Sequence, residues 1–177
     1  MAHEATPRCL VFIAVSLDGY IARLDGAIDW LSLVQKEGED YGYQAFASSV
    51  DVLVMGRKTY DTARGFDSWP YGGKRCIVLT HRPQAPLHNE EFFTGSPSAL
   101  IERLSAEGAR NIYVDGGVVI QQFLAAGLIN ELTLSVIPVL LGGGVRLFGE
   151  AGPEQRVTLN QVRSWPTGLV QLHYVVE

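Results

Sequence analysis

The sequence has little charge and no run of basic residues. Lysine and arginine total 14 against 19 aspartates and glutamates, which gives a formal net charge of −5 at pH 7. Proteins that bind nucleic acid through its phosphates concentrate positive charge on one surface. We therefore expect no DNA or RNA partner.

Cysteine is also scarce. The two cysteines, Cys9 and Cys76, lie inside apolar runs and form no CxxC motif or Cys/His cluster. The histidines show no partner at the spacing of metal ligands. We expect inert core thiols and no metal site.

Long hydrophobic segments are missing from the start of the chain. The opening MAHEATPR has no apolar stretch behind a basic end, and the first apolar run reaches Asp18 before it attains half a membrane span. We expect no membrane partner and a cytoplasmic location. The length of 177 residues, 47% of them hydrophobic, predicts a single domain over 1–177.

The hydrophobic pattern alternates between strand-like and helix-like segments. Strands are predicted at 9–17, 50–56, 74–80, 110–116, 130–141, 157–165 and 169–176, with 91–94 as a candidate eighth; helices are predicted at 39–50, 97–107 and 118–126. Strands that alternate with helices predict a mostly parallel sheet. The last strands have no helix between them, so an antiparallel hairpin is expected at the C-terminus.

Two strand–glycine–helix junctions are the most informative feature. Gly56 and the pair Gly116-Gly117 each follow an apolar strand and precede a helical segment. Glycine lets the backbone approach a ligand, and a helix N-terminus directs unpaired N–H groups at a phosphate. Each glycine alone is equally compatible with a simple tight turn. Together with Arg57, Lys58 and Thr59, the two junctions favour a dinucleotide.

A third strand ends in Leu79-Thr80-His81-Arg82. A hydroxyl, an imidazole and a guanidinium in a row suit the 2′-phosphate of NADPH, since arginine binds phosphate through two parallel hydrogen bonds. The alternative is an ordinary solvated loop.

In this order and spacing the motifs resemble the dihydrofolate reductases and the C-terminal reductase domains of riboflavin biosynthesis. The resemblance covers almost the whole chain and rests on AVSLDGYIA (14–22), DGAIDWL (25–31), VMGRKTYD (54–61), IVLTHRP (77–83), IYVDGGVVIQQFL (112–124) and IPVLLGGGVRLFGE (137–150). It implies a dihydrofolate-reductase-like α/β fold of three layers, α/β/α, with a mixed, mostly parallel sheet of about eight strands.

The resemblance also implies the cofactor NADPH and the residues that hold it. Backbone groups of Ala14 and Ile21 would meet the nicotinamide, and 16–30 would form a mobile flap. The phosphates and the adenosine would be held by Gly56, Arg57, Lys58, Thr59, Leu79, Thr80, His81, Arg82, Gly116, Gly117, Val118, Val119 and Ile120.

The proton source is predicted less directly. The family's carboxylate falls at Asp40, which in a half-apolar pocket would have a raised pKa and act as the catalytic acid. Asp40 is equally suited to start the helix at 39–50. The substrate side would include Trp30, Tyr41, Gln44 and Ser135.

The resemblance implies an NADPH-dependent reductase of a small heterocyclic, pterin-like or aminouracil-like substrate. Two departures argue against its best-known members: Gly73 replaces the arginine that grips the folate tail, and no basic residue lies between Glu39 and Asp51. Alternatives are an authentic dihydrofolate reductase, a 5-amino-6-(5-phosphoribosylamino)uracil reductase, or an NADPH-binding regulatory module without turnover. The apolar strand 130–141, taken as an exposed sheet edge, predicts a homodimer.

Overall fold

A computed structural model describes residues 6–150 and 152–177. Its strands are β1 (Arg8–Ser16), β2 (Tyr20–Ala22), β3 (Val52–Gly56), β4 (Arg75–Leu79), β5 (Glu90–Phe93), β6 (Asn111–Asp115), β7 (Ile129–Ile137), β8 (Val145–Arg146), β9 (Val157–Ser164) and β10 (Val170–Val176). The helices are α1 (Tyr43–Ser49), α2 (Arg57–Arg64), α3 (Pro97–Ala106) and α4 (Gly117–Ala125), and a 3-10 helix covers Asp29–Val34. Residues 1–5, which begin the N-terminal segment considered above, lie outside the described range.

Eight strands form one mixed sheet in the order β5-β4-β3-β6-β1-β7-β10-β9. The first six are parallel, whereas β10 runs antiparallel to both β7 and β9. The predicted α/β class, the parallel majority and the C-terminal hairpin are thus confirmed. One detail is wrong: the strand predicted at 130–141 is no edge, because β7 lies between β1 and β10, and the edges of this sheet are β5 and β9.

The helices cover the two faces of the sheet unequally. On one side, which we call the α4 face, α3 and α4 pack on Val11, Val54 and Val114. On the other side, which we call the aromatic face, α1 and α2 pack among aromatic rings around Leu53 and Met55. The alternation of side chains along each strand assigns them to the two faces. The sheet is therefore the middle of three layers.

Local sequence explains most helix boundaries. Ser96 caps α3 by accepting a hydrogen bond from the Ala99 N–H at 3.2 Å, and Pro97 begins the helix as predicted. In contrast, α1 begins only at Tyr43, later than predicted. Tyr41 and Gly42 both have positive φ values, 55° and 86°, so the helix cannot include them. None of the helices in the described residues is long and apolar enough to cross a membrane.

The crossovers create a crevice at the carboxyl ends of the central strands. Neighbouring strands β3 and β6 are followed by helices on opposite faces, α2 on the aromatic face and α4 on the α4 face. In open α/β sheets, ligands bind where adjacent connections diverge in this way. Both predicted glycine junctions lie at this crevice.

Candidate functional site

The two glycine junctions lie against each other. A Cβ added to Gly116 would be 2.5 Å from Thr59 Oγ1 and 3.7 Å from the backbone nitrogen of Gly56. A Cβ on Gly56 would lie 3.0 Å from a methyl group of Val119. Gly116 also has a φ of 94°, which favours glycine. These glycines therefore let the two junctions lie close together, and they also turn the chain.

Helices α2 and α4 begin at these junctions without a capping side chain, whereas α3 is capped by Ser96. Their N-terminal N–H groups need acceptors and carry the positive end of the helix dipole. A pyrophosphate group fits this arrangement. Val118 is exposed at the start of α4, while Val119 and Ile120 are buried and fix the helix on the sheet.

The end of β4 borders a surface cavity of about 450 Å³ lined by Arg57, Asp61, Thr80, Arg82, Pro83 and Gln84. Leu79, the last residue of β4, packs against the core of the α4 face. The Arg57 guanidinium donates to the Arg82 carbonyl at 2.8 Å and to Gln84 Oε1 at 2.6 Å, and it pairs with Asp61. Arg57 thus organises this loop, while the side chains of Lys58, His81 and Arg82 are exposed at its rim.

The predicted flap is fastened to the chain after β7. Strand β2 pairs with β8, and the Asp18 carboxylate accepts N–H bonds from Leu141 at 3.0 Å and Gly142 at 2.7 Å. The Ser16 hydroxyl donates to Asp18 at 2.6 Å, and these bonds lower the pKa of Asp18 to about 2. The segment predicted as a flap is therefore attached to residues 141–146.

The flap brings Ile21 to the crevice, whereas the other predicted nicotinamide contact, Ala14, lies on β1 and packs against the cluster around Trp30. Ile21 Cδ1 would lie 3.1 Å from a Cβ on Gly117, so the flap passes directly over the β6–α4 junction. Ala14 pairs with Ser135 of β7 and lies two residues before Ser16, the last residue of β1.

Asp40 does not have the environment expected of it. Its carboxylate is exposed and accepts N–H bonds from Gly42 at 3.0 Å and Gln44 at 2.9 Å. These two hydrogen bonds lower the pKa of Asp40, and the bond from the Gln44 N–H has the larger effect. The raised pKa expected from the sequence is wrong, because no apolar pocket surrounds the group. The contacts match the other interpretation, a residue that caps the start of the helix.

A different carboxylate, Asp115, has the environment sought for Asp40. It ends β6 immediately before Gly116 and is partly buried on the aromatic face. Burial raises the pKa of Asp115 to about 6, although hydrogen bonds from the Gly116 N–H and the Tyr71 hydroxyl oppose that rise. Asp115 was not among the residues predicted from the sequence, although its position between a buried strand and the glycine pair was a usable signal.

Tyrosines surround this carboxylate on the aromatic face. Tyr43 and Tyr71 face Asp115, and burial together with the Asp115 charge raises the pKa of both phenols. The Tyr43 ring packs edge-on against Phe12 with centroids 5.8 Å apart. Aromatic rings with polar hydroxyl groups suit a flat substrate with hydrogen-bonding edges.

The structure brings three of the four residues predicted for the substrate side together and leaves Gln44 apart. Trp30 is buried beside Ile137 and Ala14, and Tyr41 belongs to the same cluster. Ser135 is buried as well and accepts a hydrogen bond from Gln171 Nε2 at 3.0 Å. Gln44, by contrast, is exposed on α1.

Metal ligation finds no support in residues 6–150 and 152–177, where no group of three histidine, cysteine or acidic side chains is placed to hold an ion. Both cysteines are buried, and burial raises the pKa of each to about 12. They are therefore unreactive core thiols.

Comparison with known proteins agrees with this architecture. The chain is 38% identical over 173 residues to the uncharacterized protein YwjB of Bacillus subtilis, covering 95% of this chain and 97% of that protein. A solved structure from Shewanella sp. PV-4, provisionally assigned to riboflavin biosynthesis, superposes with a TM-score of 0.91 at 39% identity over 96% of this chain and 99% of that one.

RibD of Acinetobacter baumannii shares the fold, with a TM-score of 0.76 at 16% identity over 100% of this chain and 59% of that one. The RibD C-terminal domain family matches residues 7–171. The chain therefore belongs to that family, a reductase branch of the dihydrofolate-reductase-like fold.

Proposed function

We propose that the protein is an NADPH-dependent reductase of a small, flat heterocycle, with Asp115 as its proton-handling group. The observation that carries the proposal is the position of Asp115. A partly buried carboxylate with a pKa of about 6 adjoins Gly116, where two uncapped helices meet. A site for an anionic cofactor and a group able to supply a proton therefore lie side by side.

Reduction of a C=N or C=O bond needs a hydride on carbon and a proton on nitrogen or oxygen. When bound, NADPH supplies the hydride. The chain would contribute three functions: the N-terminal ends of α2 and α4 bind the pyrophosphate, the flap excludes water, and Asp115 donates the proton. Asp115 regains a proton from solvent after turnover, which is efficient near its pKa.

Asp115 replaces Asp40 in this account because of its charge state. At pH 6 about half of the Asp115 population is protonated and able to donate. The lowered pKa of Asp40 keeps it ionised under the same conditions.

The proposed substrate class follows from the residues facing Asp115. Tyr43 and Tyr71 offer aromatic surface and phenolic hydroxyls, whereas Tyr113 is buried and its hydroxyl donates to the Phe12 carbonyl at 3.1 Å. Lys74, the basic residue closest in sequence to Tyr71, donates its ammonium to the Val50 carbonyl at 2.5 Å and is engaged there. We therefore favour an uncharged pterin-like or aminouracil-like ring over a phosphorylated substrate. Dihydrofolate and 5-amino-6-(5-phosphoribosylamino)uracil remain the two named alternatives.

An assay of NADPH oxidation with a panel of substrates tests this proposal. The panel contains dihydrofolate, unconjugated pterins, and aminouracils with and without a ribose phosphate. We expect turnover of an unphosphorylated ring, and its loss in Asp115→Asn. Binding of NADPH without oxidation by any compound would instead indicate the regulatory module. Failure to bind NADPH at all would contradict both functions.

We also propose a homodimer, now on the basis of strand β9. Its three apolar side chains Val157, Leu159 and Val162 are exposed at the free edge of the sheet. An exposed apolar edge strand favours association. We expect sedimentation at micromolar concentration to give twice the chain mass, and Leu159→Lys to give the monomer. Thr158→Lys, on the adjacent exposed position, is the matched control, and a monomeric unmodified protein would refute the proposal.

A further inference from the structure

Tyr41 adopts a backbone conformation that its side chain disfavours. Among the described residues it is the one non-glycine with positive φ, at 55°. A residue with a Cβ stays in this region only where its surroundings hold it there. The contacts that hold Tyr41 therefore indicate what the turn is needed for.

The side chain of Tyr41 is fixed by three neighbours. Its hydroxyl donates to the Val34 carbonyl and lies 2.9 Å from Thr167 Oγ1. Its ring packs edge-on against Trp165 at a centroid distance of 5.1 Å. These contacts attach the turn to the β9–β10 hairpin.

The backbone of Tyr41 is held by Gln171 of β10. Gln171 Nε2 donates to the Tyr41 carbonyl and to Ser135 Oγ, each at 3.0 Å. A carbonyl can only accept a hydrogen bond, so the orientation of the amide is determined. Gln171 and Ser135 are both more than 90% buried, which makes loss of either bond costly.

The turn determines where α1 begins. Gly42 follows with a φ of 86°, and Tyr43 is the first residue of the helix. Tyr43 packs on Phe12 of β1 and faces Asp115. A shift of the turn would therefore move Tyr43 and admit water to the carboxylate.

We propose that Gln171 is a positioning residue, which holds the Tyr41-Gly42 turn on the sheet and so keeps Tyr43 over Asp115. Its importance for catalysis depends on the proposed function, in which Asp115 supplies the proton. The positioning itself depends only on the contacts above.

Titration of Asp115 by carbon-13 NMR in aspartate-labelled protein, without cofactor or substrate, tests the proposal. The other titratable groups that face Asp115 are Tyr43 of α1, Tyr71 before β4, Cys76 of β4 and Tyr113 of β6. Each has a raised pKa and is neutral near pH 6. Changes in this range therefore report the hydration of Asp115.

Gln171→Leu keeps the side-chain volume and removes both hydrogen bonds. We expect the protonated fraction of Asp115 at pH 6 to fall from about one half to about one tenth, a tenfold weaker proton affinity. Gln171→Asn, whose amide is too short to bridge Tyr41 and Ser135, should show the same fall if the Leu variant does not fold.

Gln155→Leu is the matched control, because Gln155 Nε2 also donates to a backbone carbonyl, that of Leu124 at 2.6 Å, near α4. It should leave the titration of Asp115 unchanged. An unchanged titration in the Gln171 variants would overturn the proposal. Since the measurement needs no turnover, its failure is distinct from failure of the proposed function.

Discussion

Thr59 and Gly116 meet where the two strand–glycine–helix junctions adjoin. The Thr59 Oγ1 lies only 2.5 Å from the position that a Cβ on Gly116 would take, which is too close for two non-bonded atoms. Thr59 belongs to α2 and Gly116 to the β6–α4 junction. Any residue larger than glycine at 116 must therefore displace the Thr59 side chain at the start of α2.

Gly116→Ala should consequently abolish NADPH binding and destabilise the protein. The backbone conformation of Gly116, with φ 94° and ψ 137°, costs alanine about 1–3 kcal/mol, and the collision with Thr59 adds to this. Gly108→Ala is the control, because Gly108 has a φ of 81° but no atom within 4 Å of its Cβ position. Calorimetric titration with NADPH should show loss of binding only in Gly116→Ala. Urea unfolding measures the stability of both variants. Equal behaviour of the two variants would contradict the close approach.

The cavity at the end of β4 should discriminate between cofactors. We expect NADPH to bind at least about tenfold more tightly than NADH, since a charge-assisted hydrogen bond contributes roughly 1.5–3 kcal/mol. Arg82→Ala should remove most of this preference. Arg110 is an exposed arginine just before the first residue of β6, far from the end that faces the crevice. Arg110→Ala should retain the preference for NADPH. Calorimetry with both cofactors decides the matter, and equal affinities for the unmodified protein would refute a 2′-phosphate site here.

Asp18 should hold the flap closed over a wide pH range. Its pKa is lowered to about 2, so its contribution is present above the ordinary aspartate pKa and is lost as pH falls through about 2. In Asp18→Asn, hydrogen exchange at the amides of Leu141 and Gly142 should accelerate at neutral pH. Asp25→Asn is the control, because Asp25 accepts the Ala27 N–H, a contact within the flap itself. Unchanged exchange in Asp18→Asn would show that the flap is fastened by other contacts.

The strands and the strand–glycine–helix junctions were predictable because they depend on local sequence. Uniformly apolar runs such as β3 and β4 require burial on both faces, and Ser96-Pro97 marks a helix start wherever it lies. The short strands β2 and β8 were missed, since two or three residues show no periodicity.

The proton-handling group was not predictable in the same way. The raised pKa of Asp115 is caused by burial, and the residues that face it, Tyr43 and Tyr71, come from distant parts of the chain. The late start of α1 likewise depends on the contacts of Tyr41 with Trp165 and Gln171. Family position therefore pointed to Asp40, whose exposure only the folded structure reveals.

Asp115 should lower the stability of the protein above pH 6. Its pKa is raised from 3.8 to about 6, so the folded state binds the proton more tightly and loses stability as pH rises through this window. At pH 8, Asp115→Asn should raise the free energy of unfolding by about 1–3 kcal/mol, because the buried charge is removed. Urea unfolding at pH 4 and pH 8 measures this. A variant less stable than the unmodified protein at pH 8 would contradict the raised pKa.

The pH dependence of kcat with an active substrate tests the role of Asp115 most directly. Because the protonated carboxyl donates, kcat should decline as pH rises through about 6 in the unmodified protein. Asp115→Asn should lose this inflection and on the order of 10²-fold in kcat while NADPH affinity is retained. Asp40→Asn should keep both the inflection and most of the rate. The opposite pattern, with the inflection lost in Asp40→Asn and kept in Asp115→Asn, would contradict the account.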